Sequence, residues 1–333
     1  MRVLYLSYDG LLDPLGQSQI LPYLTALRGD VSSMRIISFE KEDYNAAMLL
    51  DTQALLSKLD ISWSKRRFTP SHHVAIKFLD VLKFFFLFTR LYFAEKPDVV
   101  HARGHPMAIF SACFKYIFNF KLIFDYRGIW ADERVAKGGW NLNLSLDRLA
   151  YRLAVKLESF ALIKADHLVL LTEAVKKKVL FETAISPNAI TVIPCACDYN
   201  LFTAKPDHDD TIAQPITLGY LGSIGPAYLF DRYLEILKHC LEAGIACKGL
   251  VVTNNLSAAD NQLLSFDKND LAQSVDILKA ERKDIPALIH KMDVLLSFYT
   301  PFKSIIGTSP VKIAEVIACG VPIIANTGIG AVS

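Results

Sequence analysis

Short apolar runs rich in β-branched residues alternate along this chain with longer stretches whose apolar positions recur at helical spacing. Val3–Ser7, Met34–Phe39, Asp98–His101, Lys121–Asp125, His167–Leu171 and Ile190–Pro194 read as strands of one sheet. Ile216–Leu221, Gly249–Val252, Val275–Leu278, Asp293–Phe298 and Val321–Ala325 read as strands of another. Such alternation implies parallel sheets flanked by helices. Between the two series, "TAKPDHDDTIAQ" at 203–214 is rich in Asp and poor in apolar residues, which marks a linker. The predicted organisation is α/β, with two doubly wound domains facing a cleft: residues 1–202, the linker 203–214, and residues 215–333.

The stretch "SPVKIAEVIACGVPIIANTG" at 309–328 carries the sharpest local signal. Ser309 as cap and Pro310 at the first position predict a helix over 310–318, which Gly320 closes before a buried strand. Its first turn presents the positive end of the helix dipole, a setting suited to phosphate, though the stretch alone fits an ordinary capped core helix better. In parallel sheets ligands bind beyond the carboxyl ends of the strands. The loops there are "SYDGLLDPLGQSQ", "HARGHP", "DYRGIWADERV" and "YLGSIGPAY". No G-x-G-x-x-G follows the first strand and no Walker sequence occurs, which argues against a nicotinamide dehydrogenase or a P-loop enzyme. The "DHDD" cluster lies in the linker without further His or Cys partners at ligand spacing, so it reads as solvated rather than metal-binding.

From Ala75 to Ala94 the segment "HHVAIKFLDVLKFFFLFTRLYFAEKPD" at 72–98 is mostly apolar, but Lys77, Asp80, Lys83 and Arg90 interrupt it at a high cost for a bilayer span. Two uses stay open: a core helix covering the sheet, or a helix lying on an anionic membrane surface, the latter open also to "EAVKKKV" at 173–179. A 333-residue chain that is 52% hydrophobic and 21% charged can build two large cores. A net charge of +2 with no recognition motif gives no case for nucleic acid. The six cysteines, at 113, 195, 197, 240, 247 and 319, show neither zinc spacing nor the density of a disulfide scaffold, and fit thiols in a reducing cytoplasm. "MRVLYLSYDG" lacks the apolar core of a signal peptide and reads as a first strand.

Taken in order, these stretches resemble the glycosyltransferase family 4 group, enzymes of the GT-B fold with two Rossmann-like domains. Residues 309–325 are similar to that family's S-P-x-K-x-x-E-x-x-A-x-G-x-P-V-I-A signature, with Ile323 in place of Val, and "DVVHARG", "DYRGIWADERV", "KADHLVLLT", "ITVIPCACDYNLF" and "LGYLGSIG" fall in matching order. The resemblance implies a retaining transfer of a sugar from a nucleotide-sugar donor to a glycan or lipid-linked acceptor, in cell-surface polysaccharide or glycolipid synthesis. It implies a cytoplasmic enzyme with possible peripheral contact at the inner membrane, no metal and no cofactor, the leaving diphosphate being held by a helix N-terminus, backbone amides and a cation. By that resemblance Ser309, Val311, Lys312, Gly222 and Ser223 are candidates for the diphosphate, Glu315 for the ribose hydroxyls, and Gly307 and Thr308 for the donor sugar. Gly16 and Gln17 lie in the loop that relatives bring to the donor phosphates or acceptor. The same resemblance implies that Arg127 faces the reacting sugar, and His101 and His105 are expected either to orient the acceptor or to serve the structure. Asp132 and Glu133 are expected either to bind acceptor hydroxyls or to pair with Arg134.

Three departures accompany the resemblance. The family's other Glu, eight residues before Glu315, is Gly307 here, so donor-sugar contacts are expected from backbone around Ile306 to Thr308. No Arg or Lys pair follows the second domain's first strand; Arg232, Arg282 and Lys283 are the substitutes in reach. The chain ends at "NTGIGAVS", which reads as a truncated second domain with exposed apolar surface, reduced stability or self-association. A degenerate transferase-like binding protein is the alternative reading, and a nucleotide-sugar epimerase a weaker one, since no acid–base pair for it is visible.

Overall fold

The computed structural model describes residues 1–41, 44, 46–67, 74–204, 215–266 and 271–330, with backbone alone for 74–81. Most of the predicted linker, including the "DHDD" cluster, lies outside the described residues, as do His72 and His73. The strands are β1 (Arg2–Ser7), β2 (Ser33–Glu40), β3 (Ile61–Arg67), β4 (Val99–Arg103), β5 (Lys121–Tyr126), β6 (His167–Leu170), β7 (Ile190–Val192), β8 (Ile216–Leu221), β9 (Cys247–Val252), β10 (Val275–Leu278), β11 (Val294–Ser297) and β12 (Ile323–Ala325). The helices are α1 (Leu21–Leu27), α2 (Ala46–Lys58), α3 (Val74–Glu95), α4 (His105–Phe114), α5 (Trp130–Ala136), α6 (Ser145–Lys164), α7 (Glu173–Glu182), α8 (Phe230–Glu242), α9 (Leu256–Phe266), α10 (Ile285–Ile289) and α11 (Val311–Ala318).

The named strands pair in parallel, in the orders β3-β2-β1-β4-β5-β6-β7 and β10-β9-β8-β11-β12. Covered on both faces, the central strand β4 is buried throughout, its His101 and Arg103 included. In each sheet the order reverses once, beside β1 and β4 in the first and beside β8 and β11 in the second, and loops at such switch points form ligand crevices. The strand β3 escaped the sequence reading because "ISWSKRR" is an edge strand whose last three side chains are exposed. The strands holding "HARG" and "DYRG" are thus the fourth and fifth, not the third and fourth.

Two compact units divide the chain: Met1–Arg127 with Ala150–Leu170 and Lys176–Ile193, and Gly128–Leu149 with Leu171–Val175 and Pro194–Ser333. In the first, α3 packs Phe84 and Phe88 against Phe114, the Phe88 and Phe114 centroids being 4.6 Å apart, and Phe118 and Phe120 complete the aromatic core. The core reading of residues 72–98 accounts for these rings, while Phe86 and Phe93 on the same helix stay exposed. Among the described residues no helix is long and apolar enough to cross a membrane. The second unit has two apolar clusters, one built on Tyr220, Phe230, Tyr233 and Leu234, the other on Phe202, Leu295, Val316 and Cys319.

The loop after β1 is folded back on itself. Leu11 and Leu12 donate their N–H groups to the buried Glu40 carboxylate at 2.9 and 3.0 Å. Gln17 Nε2 donates to Leu11 O at 2.9 Å and to Thr52 Oγ1 at 3.2 Å. A Cβ on Gly16 would lie 2.2 Å from Gly10 O and 2.4 Å from Leu11 O, so only glycine fits. Gly16→Ala is expected to lower the unfolding free energy by about 1–3 kcal/mol, read from the denaturation midpoint at unchanged slope.

Candidate functional site

In the first unit the strand register gathers a buried polar group at the carboxyl ends of β1, β4 and β5. Tyr5 lies beside His101, and Arg103 beside Asp125. Arg103 Nη1 donates to Asp125 Oδ2 at 3.3 Å and its Nη2 to Gln19 Oε1 at 2.8 Å. Arg127 Nε lies 2.9 Å from the other carboxylate oxygen. One carboxylate therefore holds two guanidinium groups in place, while Asp9 Oδ2 lies 3.9 Å from Arg103 Nε. His101 Nε2 is 3.9 Å from Asp125 Oδ2, and its ring packs on Tyr5 and Tyr23 at centroid distances of 4.8 and 5.7 Å. Burial pulls its pKa down to about 4, outweighing the opposing pull of Asp125, so this imidazole is neutral at pH 7. Burial likewise raises the Tyr5 and Tyr23 phenols, keeping both protonated.

His105 is not brought to this group. It sits in the first turn of α4 with Nε2 3.1 Å from Glu158 Oε2, edge-on to Phe124, and Glu158 also accepts from Tyr126 Oη at 2.6 Å. These contacts give His105 a packing role in joining α4 to α6. Gly16 and Gln17 are occupied by their own loop, as described above.

The second unit gathers a different set around β8 and α11. Gly222 turns the chain at φ 128°, its N–H donating to Val252 O at 3.0 Å. Tyr220 Oη donates to Ser223 O at 2.7 Å and fixes that loop. Lys312 projects from the first turn of α11 into a cage of rings, its Nζ 4.7 Å from the Tyr228 centroid, 5.1 Å from Tyr299 and 5.5 Å from Tyr220. A Cβ at Gly222 would fall 2.9 Å from that Nζ, a second reason for glycine. Desolvation lowers the Lys312 pKa from 10.5 to about 7. Burial raises the Tyr220, Tyr228 and Tyr299 phenols, so the cage offers neutral π faces and no anion.

Ser309 does not cap α11. Its Oγ accepts the Cys195 N–H at 2.9 Å, Pro310 takes the N-cap position, and the first-turn N–H groups carry no side-chain cap. Val311 opens the helix, and Glu315 lies one turn on, buried, accepting from Arg282 Nη1 at 2.8 Å. Arg282 in turn lies 5.1 Å over the Phe202 ring. Of the substitutes considered for the missing basic pair, Arg232 pairs with Glu235 and Lys283 with Glu281 on exposed surface, and Arg282 alone reaches the helix.

Gly307 is buried, and a Cβ there would stand 3.4 Å from Gly128 Cα, Ile129 N and Val175 Cγ2. These are ordinary van der Waals distances, so space for a side chain at this position is bounded by the Gly128–Ile129 backbone and Val175. The neighbouring backbone is engaged within the chain: Ile306 O accepts from Thr172 Oγ1 at 2.7 Å, and Thr308 N donates to Ile305 O at 3.0 Å. Glu133 pairs with Lys137 at 2.9 Å, and Arg134 lies 5.0 Å over Trp140, so these two side chains find partners other than each other. Among the described residues no three His, Cys, Asp or Glu side chains cluster closely enough to hold a metal ion. Asp125 and the three tyrosines were not singled out as candidates; Asp125 could have been found from "HARG" and "DYRG" ending neighbouring strands, whereas no spacing links Tyr299 to Tyr220 and Tyr228.

Residues 58–196 match the glycosyl transferase 4-like domain family. Anabaena Alr3699/HepE, solved with UDP and glucose, superposes with a TM-score of 0.66 at 17% identity, covering 99% of this chain and 82% of that one. The chain has the GT-B fold. A glycosyltransferase from Rickettsia africae superposes on the GT-B chain at 0.65 with 17% identity, covering 99% and 80%. WaaG, a glycosyltransferase involved in lipopolysaccharide biosynthesis, does so at 0.64 with 15% identity, covering 99% and 82%. No curated protein sequence matches the GT-B chain.

Proposed function

We propose that this GT-B chain is a retaining, metal-independent glycosyltransferase that moves a sugar from a nucleotide-sugar donor to a glycan or lipid-linked acceptor in cell-surface polysaccharide or glycolipid assembly, at the cytoplasmic side of the membrane. The observation that carries this reading is the placement of Lys312 in the uncapped first turn of α11, against Gly222, with the buried Glu315 one turn further on. An amine and free helix N–H groups at one switch point suit the charge that develops on a leaving diphosphate, which is the task a divalent ion performs elsewhere. Glu315, oriented by Arg282, accepts the ribose hydroxyls. In the first unit Arg127, held by Asp125, presents a fixed cation to the reacting sugar, and neutral His101 serves the acceptor hydroxyl. HepE, solved with UDP and glucose, supports a nucleotide-sugar donor for a chain of this fold. The missing acid at Gly307 is the observation that favours a degenerate binding protein, and catalysis decides between the two.

The test is calorimetry of UDP, GDP, ADP and their sugars against the folded chain, followed by NMR of any product's anomeric centre. One nucleoside diphosphate is expected to bind, about 10–100-fold more weakly in Glu315→Gln, since hydrogen bonds to charged groups contribute about 1.5–3 kcal/mol. Transfer is expected to retain configuration and to survive EDTA. Binding without turnover would leave only the degenerate reading, and no binding by folded protein would sink both.

A further inference from the structure

The helix α6 presents leucine to solvent where helices ordinarily bury it. Leu146, Leu149 and Leu153 are 81%, 65% and 55% exposed, and Leu142 and Leu144 just before the helix are exposed as well. Leucine is among the residues most often found inside, so a contiguous exposed row of it marks a surface that something covers. The spacing of three and four residues sets 146, 149 and 153 on one face. Ala154, Ala161 and Leu162 face the core instead.

A second row runs beside the first. Arg148, Arg152 and Lys156 recur at intervals of four, so they line up along the edge of the leucine stripe, and all three are exposed. Among the described residues no carboxylate pairs with any of them. The two acids of the helix are turned to the chain: Asp147 accepts the Asn141 N–H at 2.8 Å, and Glu158 holds Tyr126 and His105. Toward the end of α6 the stripe continues into Phe160, stacked on the exposed Tyr116 at 6.4 Å, with Lys164 Nζ 4.6 Å over the Tyr116 ring. Tyrosine with an apolar body and a wet hydroxyl suits a water–lipid boundary.

We infer that the outer face of α6 is a docking surface for an anionic lipid bilayer, its leucines entering the headgroup boundary while Arg148, Arg152 and Lys156 meet the lipid phosphates. The charge decides the occupant. A second copy seated on the same leucines would bring two basic rows together, whereas an anionic lipid surface complements them. This assignment differs from both segments the sequence offered for membrane contact, 72–98 and 173–179. It is independent of the donor site.

Flotation and sedimentation with phosphatidylcholine vesicles, with and without phosphatidylglycerol, tests it directly on the full chain. Wild type is expected to partition onto vesicles containing phosphatidylglycerol, to leave neutral ones, and to be released by salt. Each basic residue near an anionic leaflet contributes about fivefold, so Arg148→Gln with Arg152→Gln and Lys156→Gln is expected to weaken partition about a hundredfold. Leu146→Ser with Leu149→Ser and Leu153→Ser is expected to weaken it comparably, and because all six side chains are exposed both variants are expected to melt as wild type does. The inference is overturned if wild type binds no vesicle, or if the basic triple variant binds as well as wild type. A dimer seen by light scattering that disperses in the leucine variant, without vesicle binding, would assign the surface to a second copy and overturn it equally.

Discussion

Replacing Lys312 by Met is expected to stabilise the folded chain at pH 7 while cutting sugar transfer about 100–1000-fold, a loss of the size found when one donor is removed from a charge-stabilising site. The two effects share one cause. The cage of Tyr220, Tyr228 and Tyr299 desolvates the amine and lowers its pKa from 10.5 to about 7. An unfolded chain keeps the ordinary value, so between about pH 7 and 10.5 it holds a proton that the folded chain has released. Stability from this group therefore rises with pH across that window, and its cost is complete below about pH 7. Methionine fills the cage without a charge to desolvate, so it removes that cost. A bound diphosphate acts in the opposite direction by supplying the anion that the neutral phenols do not.

The same geometry makes donor binding a proton-linked event. At pH 8 the free amine is mostly neutral, and a diphosphate beside it restores the ammonium, so binding takes up close to one proton. At pH 6 the ammonium is already present and little is taken up. Calorimetry in two buffers of different ionisation enthalpy reads this difference, and affinity is expected to fall toward tenfold per pH unit above pH 7 in wild type but not in Lys312→Met. Equal proton uptake by the two proteins would remove Lys312 from the diphosphate site. The tyrosines do not confuse the reading, because burial raises all three phenols.

Most of the architecture was legible because doubly wound folds write themselves as period: apolar strand, amphipathic helix, and again. Eleven of the twelve described strands overlap a predicted run closely enough to fix the topology class, and β3 was lost because an edge strand needs no apolar face. Helix chemistry was less legible than helix position. Ser309 before Pro310 has the form of a cap, yet its hydroxyl is taken by the Cys195 backbone, far away in sequence. Glu315 could be singled out as an acid in an apolar turn, and its partner Arg282 could be considered but not placed. The cage around Lys312 lies beyond any local pattern, since Tyr299 lies two residues past β11 while Tyr220 is in β8 and Tyr228 in the loop after it. Sequence spacing reports neighbours within an element, whereas a site at a switch point is assembled from the ends of strands that are distant along the chain.

Asp125→Ala is expected to be the most destabilising single change at the first sheet's switch point. The carboxylate is buried at the end of β5 and is contacted by Arg103 from β4 and by Arg127 from the loop that follows. Removing one member of a buried charge group costs about 3–5 kcal/mol, because the remaining charge loses its nearest carboxylate without regaining water, Asp9 Oδ2 standing 3.9 Å from Arg103 Nε. Arg103 is the guanidinium concerned, being 2% exposed, whereas Arg127 retains some solvent. For a mesophilic domain with ordinary stability this is a large fraction of the total. Asp125→Ala with Arg103→Met removes both the carboxylate and the stranded cation, and is expected to recover much of the loss; the non-additivity of the cycle measures their coupling. Turnover separates structure from chemistry: the stabilised double variant keeps the fold but leaves Arg127 without the oxygen that orients it. It is expected to fold and still transfer sugar poorly. Recovery of both stability and full turnover in the double variant would show that Asp125 serves only the fold.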